Sequence, residues 1–311
     1  MNRLLPNPKI SVVSPVYQAE HIVGQLVDEI ELALCPLGLD YEIVLVEDGS
    51  RDRSWDAIAL AADKHKSIRA IKLSRNFGQH IAITAALNHS RGEWVVVMDC
   101  DLQDNPRHIP DLLEMAYTGF DVVRAKRIDR QDKRRKKLSS ILFYALFSYM
   151  TGQKQDSTTG NFGIYHRNVI NAVLSMGDYF RFFPAQVQWV GFKHTVLPLS
   201  HSSRKIGSTS YSWRRLTSLA LNNILAFSDK PLRLAAAFGF TVAFVSFLLG
   251  FSYLLLGIFG VTQVSGFISL IVSLFFSTGS IIMVMGIVGL YVGKTFDAAK
   301  NRPLFIVEAQ I

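Results

Sequence analysis

The chain reads as an α/β protein with a doubly wound, largely parallel sheet, followed by interfacial helices and a two-helix membrane hairpin. Three observations predict this. Apolar β-runs alternate regularly with helical patterns from Ile10 onward. The run Trp94 to Met98 is continuous, β-branched and flanked by polar residues, as in a strand buried on both faces. Pro231 to Phe259 and Val264 to Val292 hold no acid, and Arg233 is their only basic residue. Each is longer than the roughly 20 residues needed to cross a bilayer.

In order, Ile10 to Val16 is the first strand and Glu20 to Leu34 the first helix. Tyr41 to Val46 and the helix Asp52 to His65 follow, then Ile68 to Leu73 and a helix to about Asn88. The fourth strand runs directly into Asp99-Cys-Asp-Leu-Gln-Asp104. A helix opens at Pro106 with Asp104 or Asn105 as its N-cap. Asp121 to Ala125 is a fifth strand. Polar residues gather at the strand ends: Tyr17 and Glu20, Glu47 and Asp48, Arg75 and Asn76, Asp99 and Asp101, and Arg127. In open α/β sheets ligands bind at that edge.

Side chains alternate along an extended chain, so Asp99 and Asp101 point one way and Cys100 the other. With Gln103 they make an oxygen-rich niche suited to Mg²⁺ or Mn²⁺ carrying a diphosphate. No G-x-G-x-x-G follows the first strand and no P-loop motif occurs, so metal and side chains would hold the phosphates. Cys35 and Cys100 offer neither a disulfide framework nor a zinc set.

The net charge of +8 is concentrated between Arg124 and Lys137. The apolar segment Leu138 to Met150 follows at helical spacing, and the pair favours an interfacial helix over nucleic-acid binding. The connector Gly260 to Gly266 has no Lys or Arg, whereas Arg214, Arg215, Lys230 and Arg233 precede the hairpin and Lys294, Lys300 and Arg302 follow it. The positive-inside rule then puts both termini and the large domain in the cytoplasm. The start, M-N-R-L-L-P-N-P-K, has no signal-peptide core. The expected division is residues 1–205 for the catalytic domain, 206–230 for a loop and interfacial helix, 231–293 for the hairpin and 294–311 for a tail. Gly289-x-x-x-Gly293 permits close helix approach or homo-oligomerisation.

The motifs P-V-Y at Pro15 to Tyr17, E-D-G-S-R-D at Glu47 to Asp52, L-S-R-N-F-G at Leu73 to Gly78 and D-C-D-L-Q-D at Asp99 to Asp104, with two C-terminal spans, resemble the family 2 glycosyltransferases. More narrowly they are similar to the polyprenyl-phosphate group. The resemblance implies a GT-A domain, a nucleotide-diphosphate-sugar donor and a polyprenyl phosphate acceptor, with uridine and undecaprenyl phosphate preferred by analogy with bacterial members. It implies donor binding by Pro15, Tyr17, Glu20, Asp48, Arg75, Asp99 and Arg127, and a metal on Asp99, Asp101 and Gln103. The segment Arg204 to Tyr211 is similar to the family's R-x-x-G-x-S-x-Y loop, so Arg204, Lys205, Ser208 and Tyr211 would meet the acceptor phosphate.

One departure matters for chemistry. The family's A-G-D-F-R segment reads Thr159-Gly-Asn-Phe-Gly163 here, and Asn161 cannot act as a base. Asp101, Asn161 and Asp156 are therefore the candidate catalytic residues, Asp156 as a substitute carboxylate and Asn161 as a hydrogen-bonding positioner. Two other readings are a non-catalytic nucleotide-sugar binding or transport subunit, and a processive polysaccharide synthase, whose Q-x-x-R-W signature is absent.

Overall fold

A computed structural model describes residues 8–127, 159–199, 228–259 and 266–311. Apolar strand runs at Ile10–Val16 (β1), Tyr41–Glu47 (β2), Ile68–Leu73 (β3) and Trp94–Val97 (β4) build the parallel centre of the sheet. Val122–Arg127 (β5), Thr159–His166 (β6), His194–Leu199 (β7) and Val307–Gln310 (β8) complete it, in the order β7-β5-β6-β4-β1-β2-β3-β8. Every residue of β1 is buried, because its two faces serve two cores. Ile10, Val12 and Val16 belong to one, Val13 to the other.

Val23–Leu34 (α1), Ser54–Lys64 (α2), Gln79–His89 (α3), Ile109–Tyr117 (α4), Arg167–Ser175 (α5) and Phe183–Trp189 (α6) accompany the sheet. The first helix begins at Val23, three residues later than its periodicity predicts. The intervening backbone is tied elsewhere: Gln18 N–H donates to Ser50 Oγ at 3.0 Å, Ala19 N–H to Ser54 Oγ at 2.8 Å and Glu20 N–H to Asp52 Oδ2 at 3.3 Å. Pro106 opens a 3₁₀ turn over Pro106–His108 before α4, and Asn105 is its cap, accepting from Arg107 N–H at 3.0 Å.

The parallel pairs β1–β2, β1–β4, β2–β3 and β5–β7 are joined by three antiparallel ones. β6 enters antiparallel between β4 and β5, with Val97 opposite Gly163 and Arg124 opposite Gly163 on its other side. β8 closes the far edge antiparallel to β3, with Lys72 opposite Ala309. Residues 294–311, expected as a tail, thus include a strand of the sheet, with Phe305 and Val307 packed on the core.

The two apolar runs form Lys230–Ile258 (α7) and Phe267–Ala299 (α8), a separate unit from the sheet. Both are long and apolar enough to cross a membrane. Their outer faces carry bare rings and branched chains, such as Phe240 at 78%, Phe275 at 72% and Ile282 at 65% exposure. That surface is costly in water and suited to lipid.

Candidate active site

The C-terminal ends of β1 to β4 meet along one edge, and the antiparallel β6 brings its N-terminal end to the same edge. Because Val97 faces Gly163, residues two steps beyond each, Asp99 and Asn161, come together. Asn161 Nδ2 donates to Asp99 Oδ1 at 3.4 Å, and Gln79 Nε2, from the first turn of α3, donates to the same oxygen at 2.7 Å. Burial, then the charges of Asp104 and Asp101, push the Asp99 carboxyl up to about 6, against the pull of these two donors. Asp101 Oδ1 accepts from Gln103 N–H at 3.2 Å, folding the acidic run into a tight turn. Leu102 at its centre sits at φ 54°, a strained position for a branched residue and typical of a ligand clamp.

The donor set of Asp99, Asp101 and Gln103 fits a hard divalent cation. The mutual repulsion recorded at Asp99 is what such a cation relieves. Among the described residues, no three carboxylate, imidazole or thiol groups converge to hold an ion by themselves. Phosphate oxygens of a bound ligand would complete the shell.

Beside this turn, Asp48 clamps the loop after β3. Its Oδ1 accepts from Phe77 N–H at 2.7 Å and its Oδ2 from Gly78 N–H at 2.9 Å, while Asn76 Nδ2 donates to its carbonyl at 2.9 Å. Burial pushes the Asp48 carboxyl up to about 6 against those two amides. The loop passes so close that a Cβ on Gly49, at φ 64°, would lie 2.2 Å from Asn76 N. Only glycine fits there. Arg75 lays its guanidinium over the Phe77 ring at 4.0 Å. Tyr17 stands 46% exposed just past the C-terminal end of β1.

Two residues expected at the nucleoside also make contacts within the fold. Both carboxylate oxygens of Asp48 are taken by backbone amides, and Glu20 Oε2 accepts from Arg53 N–H at 2.8 Å, with Oε1 3.0 Å from His21. Pro15 is buried within β1 opposite Val46. Arg127 ends β5 at the same sheet edge. Asp156, Arg204, Lys205, Ser208 and Tyr211, the basic run beyond Arg127 and the interfacial segments lie outside the described residues. Gln79 was not foreseen, although a polar residue directly after Gly78, at the first position of a helix on this edge, is a detectable signal.

An expected result follows from the clamp. Asp48→Asn offers one acceptor and one donor to two amides, so one of them faces a donor. A lost hydrogen bond to a charged group is worth about 1.5–3 kcal/mol, so at roughly 2–4 °C per kcal/mol the unfolding midpoint should fall by about 5 °C. An unchanged midpoint would show that the carboxylate does not hold the loop.

The glycosyl transferase family 2 profile matches residues 11–174, the stretch that carries the side chains from Tyr17 to Asn161 described above. The chain belongs to the family 2 glycosyltransferases. This family 2 glycosyltransferase is 34% identical over 299 residues to an uncharacterised glycosyltransferase of Bacillus subtilis (strain 168), covering 96% of this chain and 93% of that one. It is 35% identical over 308 residues to the undecaprenyl-phosphate 4-deoxy-4-formamido-L-arabinose transferase of Pseudomonas aeruginosa (strain LESB58), covering 97% and 90%. Among solved structures, glucosyl-3-phosphoglycerate synthase of Mycobacterium tuberculosis superposes with a TM-score of 0.52 at 16% identity, over 70% of this chain and 78% of that one. That likeness establishes the GT-A fold.

Proposed function

We propose that this glycosyltransferase moves a sugar, with inversion, from a nucleotide-diphosphate donor, UDP-linked by preference, to a polyprenyl phosphate such as undecaprenyl phosphate. The observation that carries the reading is Asn161 beside Asp99, where the family motif has an acid. A hydroxyl acceptor needs a base to become nucleophilic, but a phosphate monoester, with its second pKa around 6, is already ionised near neutral pH. A site without a base at this position suits an acceptor that brings its own charge. The 35% identical Pseudomonas aeruginosa relative, named for undecaprenyl-phosphate transfer, supports the same acceptor class.

In this reading a phosphate oxygen of the lipid attacks the anomeric carbon from the face opposite the leaving group. The bond from that carbon to the diphosphate breaks, and the nucleoside diphosphate departs with the bonding electrons. Asp99, Asp101 and Gln103 would hold Mg²⁺ or Mn²⁺, which when bound neutralises the leaving diphosphate. Asp48 keeps the Phe77–Gly78 backbone in place, and Asn161 and Gln79 orient the Asp99 carboxylate. The chain's own task is alignment. α7 and α8 anchor the enzyme, with the GT-A unit and both termini on the cytoplasmic face by the positive-inside rule.

The acceptor argument is tested by offering undecaprenyl phosphate and undecaprenol side by side. Transfer to the phosphate alone is expected, and equal transfer to the alcohol would overturn it. Asn161→Asp supplies the family's acid, yet it sets a second charge against Asp99. Turnover should therefore fall about tenfold or more rather than rise. A gain in turnover would restore the missing-base account.

A further inference from the structure

Arg124 is a cation on the site's flank that the chemistry above leaves unused. It stands on β5 directly opposite Gly163 of β6, whose other side faces Val97 of β4. Directly opposed residues point to the same face of a sheet. The family's A-G-D-F-R segment ends in an arginine where this chain has Gly163. A side chain has no room there. A Cβ on Gly163 would lie 2.7 Å from the Val123 carbonyl oxygen, 3.1 Å from Arg124 Cα and 3.1 Å from the Tyr165 hydroxyl. The arginine missing from β6 thus has a counterpart on the next strand. That arginine lacks a counter-charge: its Nε is buried without a hydrogen-bond partner, and among the described residues no carboxylate pairs with its guanidinium. A partly buried cation without an anion is costly and calls for one.

The sheet brings this cation to Asn161. Between Arg124–Gly163 and Lys126–Thr159 the register slips, with Gly160, Asn161 and Phe162 of β6 facing Ala125 alone on β5. Such bulges re-aim side chains beside active sites. The Tyr165 hydroxyl donates to the Asn161 carbonyl at 3.2 Å. Burial raises the pKa of that hydroxyl and the nearby Arg124 charge opposes the rise, so guanidinium, hydroxyl and Asn161 share one corner of the site. In the sheet order the loop clamped by Asp48 lies over β2 and β3, the acidic turn follows β4, and Arg124 stands beyond β6 on the far side. A donor lying between that loop and the acidic turn leaves the Arg124 flank to the acceptor. A guanidinium fork matches phosphate oxygens two at a time.

We propose that Arg124 is a substrate-binding residue, which supplies from β5 the guanidinium that the family motif carries at position 163 and bonds the phosphate of the acceptor. The inference rests on the phosphate-acceptor reading above.

The test compares Arg124→Met, which keeps the length and loses the charge, with Arg124→Lys, which keeps the charge and loses the fork. Transfer to undecaprenyl phosphate is followed with whichever of radiolabelled UDP-glucose, UDP-galactose, UDP-N-acetylglucosamine or GDP-mannose the wild type uses, and its nucleoside diphosphate serves as competitor. For Arg124→Met the acceptor KM should rise about 10- to 100-fold, the scale of one hydrogen bond to a charged group. The donor KM and the inhibition constant of the nucleoside diphosphate should stay constant. The unfolding midpoint should hold or rise, because no partner inside the protein is lost. Arg124→Lys should recover part of the acceptor affinity. An unchanged acceptor KM in Arg124→Met would overturn the proposal. Donor and acceptor constants rising together, or a lowered midpoint with the acceptor KM unmoved, would overturn it too, in favour of the donor phosphates or of packing. A wild type that transfers from no donor would instead defeat the functional reading itself.

Discussion

Asp99→Asn is expected to lower transfer roughly 100- to 1000-fold, the scale of losing one electrostatic stabiliser of a developing charge, while leaving the cation-free protein as stable as the wild type or more so. The two effects have one cause. Asp99 titrates at about 6, raised by burial and by the charges of Asp104 and Asp101. A carboxyl whose folded pKa is raised contributes stability that is present below the unfolded value, near 3.9, and lost as pH rises through about 6. At pH 7.5 the ionised group therefore costs the fold, and the neutral amide removes that cost. Thermal unfolding with and without Mn²⁺ checks the account. Mn²⁺ together with a nucleoside diphosphate should raise the wild-type midpoint and not the variant's. A variant still stabilised by Mn²⁺ to the same degree would place the cation elsewhere.

The second large effect concerns folding. Glu42→Ala should destabilise the protein by about 1–3 kcal/mol, the cost of leaving a buried donor without its partner. At roughly 2–4 °C per kcal/mol this lowers the midpoint by about 5 °C. The Glu42 side chain is 5% exposed at the start of β2. It accepts from Ser11 Oγ at 2.6 Å, from Arg91 N–H at 2.6 Å and from the Arg91 guanidinium at 3.4 Å. Ser11 Oγ accepts in turn from Gly92 N–H at 2.7 Å, so one carboxylate ties β1, β2 and the turn into β4. Its loss strands Ser11 Oγ on β1 and the Arg91 N–H in the turn into β4. Glu42 lies at the N-terminal edge of the parallel strands and the site at their C-terminal edge, so turnover per folded molecule should hold. A midpoint within 2 °C of wild type, as a rough threshold, would refute the role.

The parallel half of the fold was legible because each strand is a short apolar run bounded by turn residues. β3 begins and ends at the predicted residues, and β1 differs from its reading in neither limit. The antiparallel strands were not. β6, T-G-N-F-G-I-Y-H, carries two glycines and no clean alternation, and its pairing with β4 is decided by tertiary contacts across a long intervening segment. β8 hides after an apolar helix, where V-E-A-Q alone has too little pattern to identify a strand. At the site, residue type and sheet edge brought out Asp99 and Asp101, and the departure from the family motif brought out Asn161. What sequence could not give was partnership. Residue type marked Asp48 and Glu20 as acids at this edge, but not that Asp48 would accept from the Phe77 and Gly78 amides or Glu20 from the Arg53 amide. Gln79, in a helix whose pattern looks ordinary, reaches the site through its hydrogen bond to Asp99 beyond β4.

The most direct measurement is transfer by the purified full-length chain in detergent, with undecaprenyl phosphate, Mg²⁺ or Mn²⁺, and a panel of radiolabelled nucleotide sugars, counting label in the organic phase. The account predicts label from one donor, abolished by chelation and absent with Asp101→Ala. Nucleotide binding with no organic-phase label from any donor would contradict it.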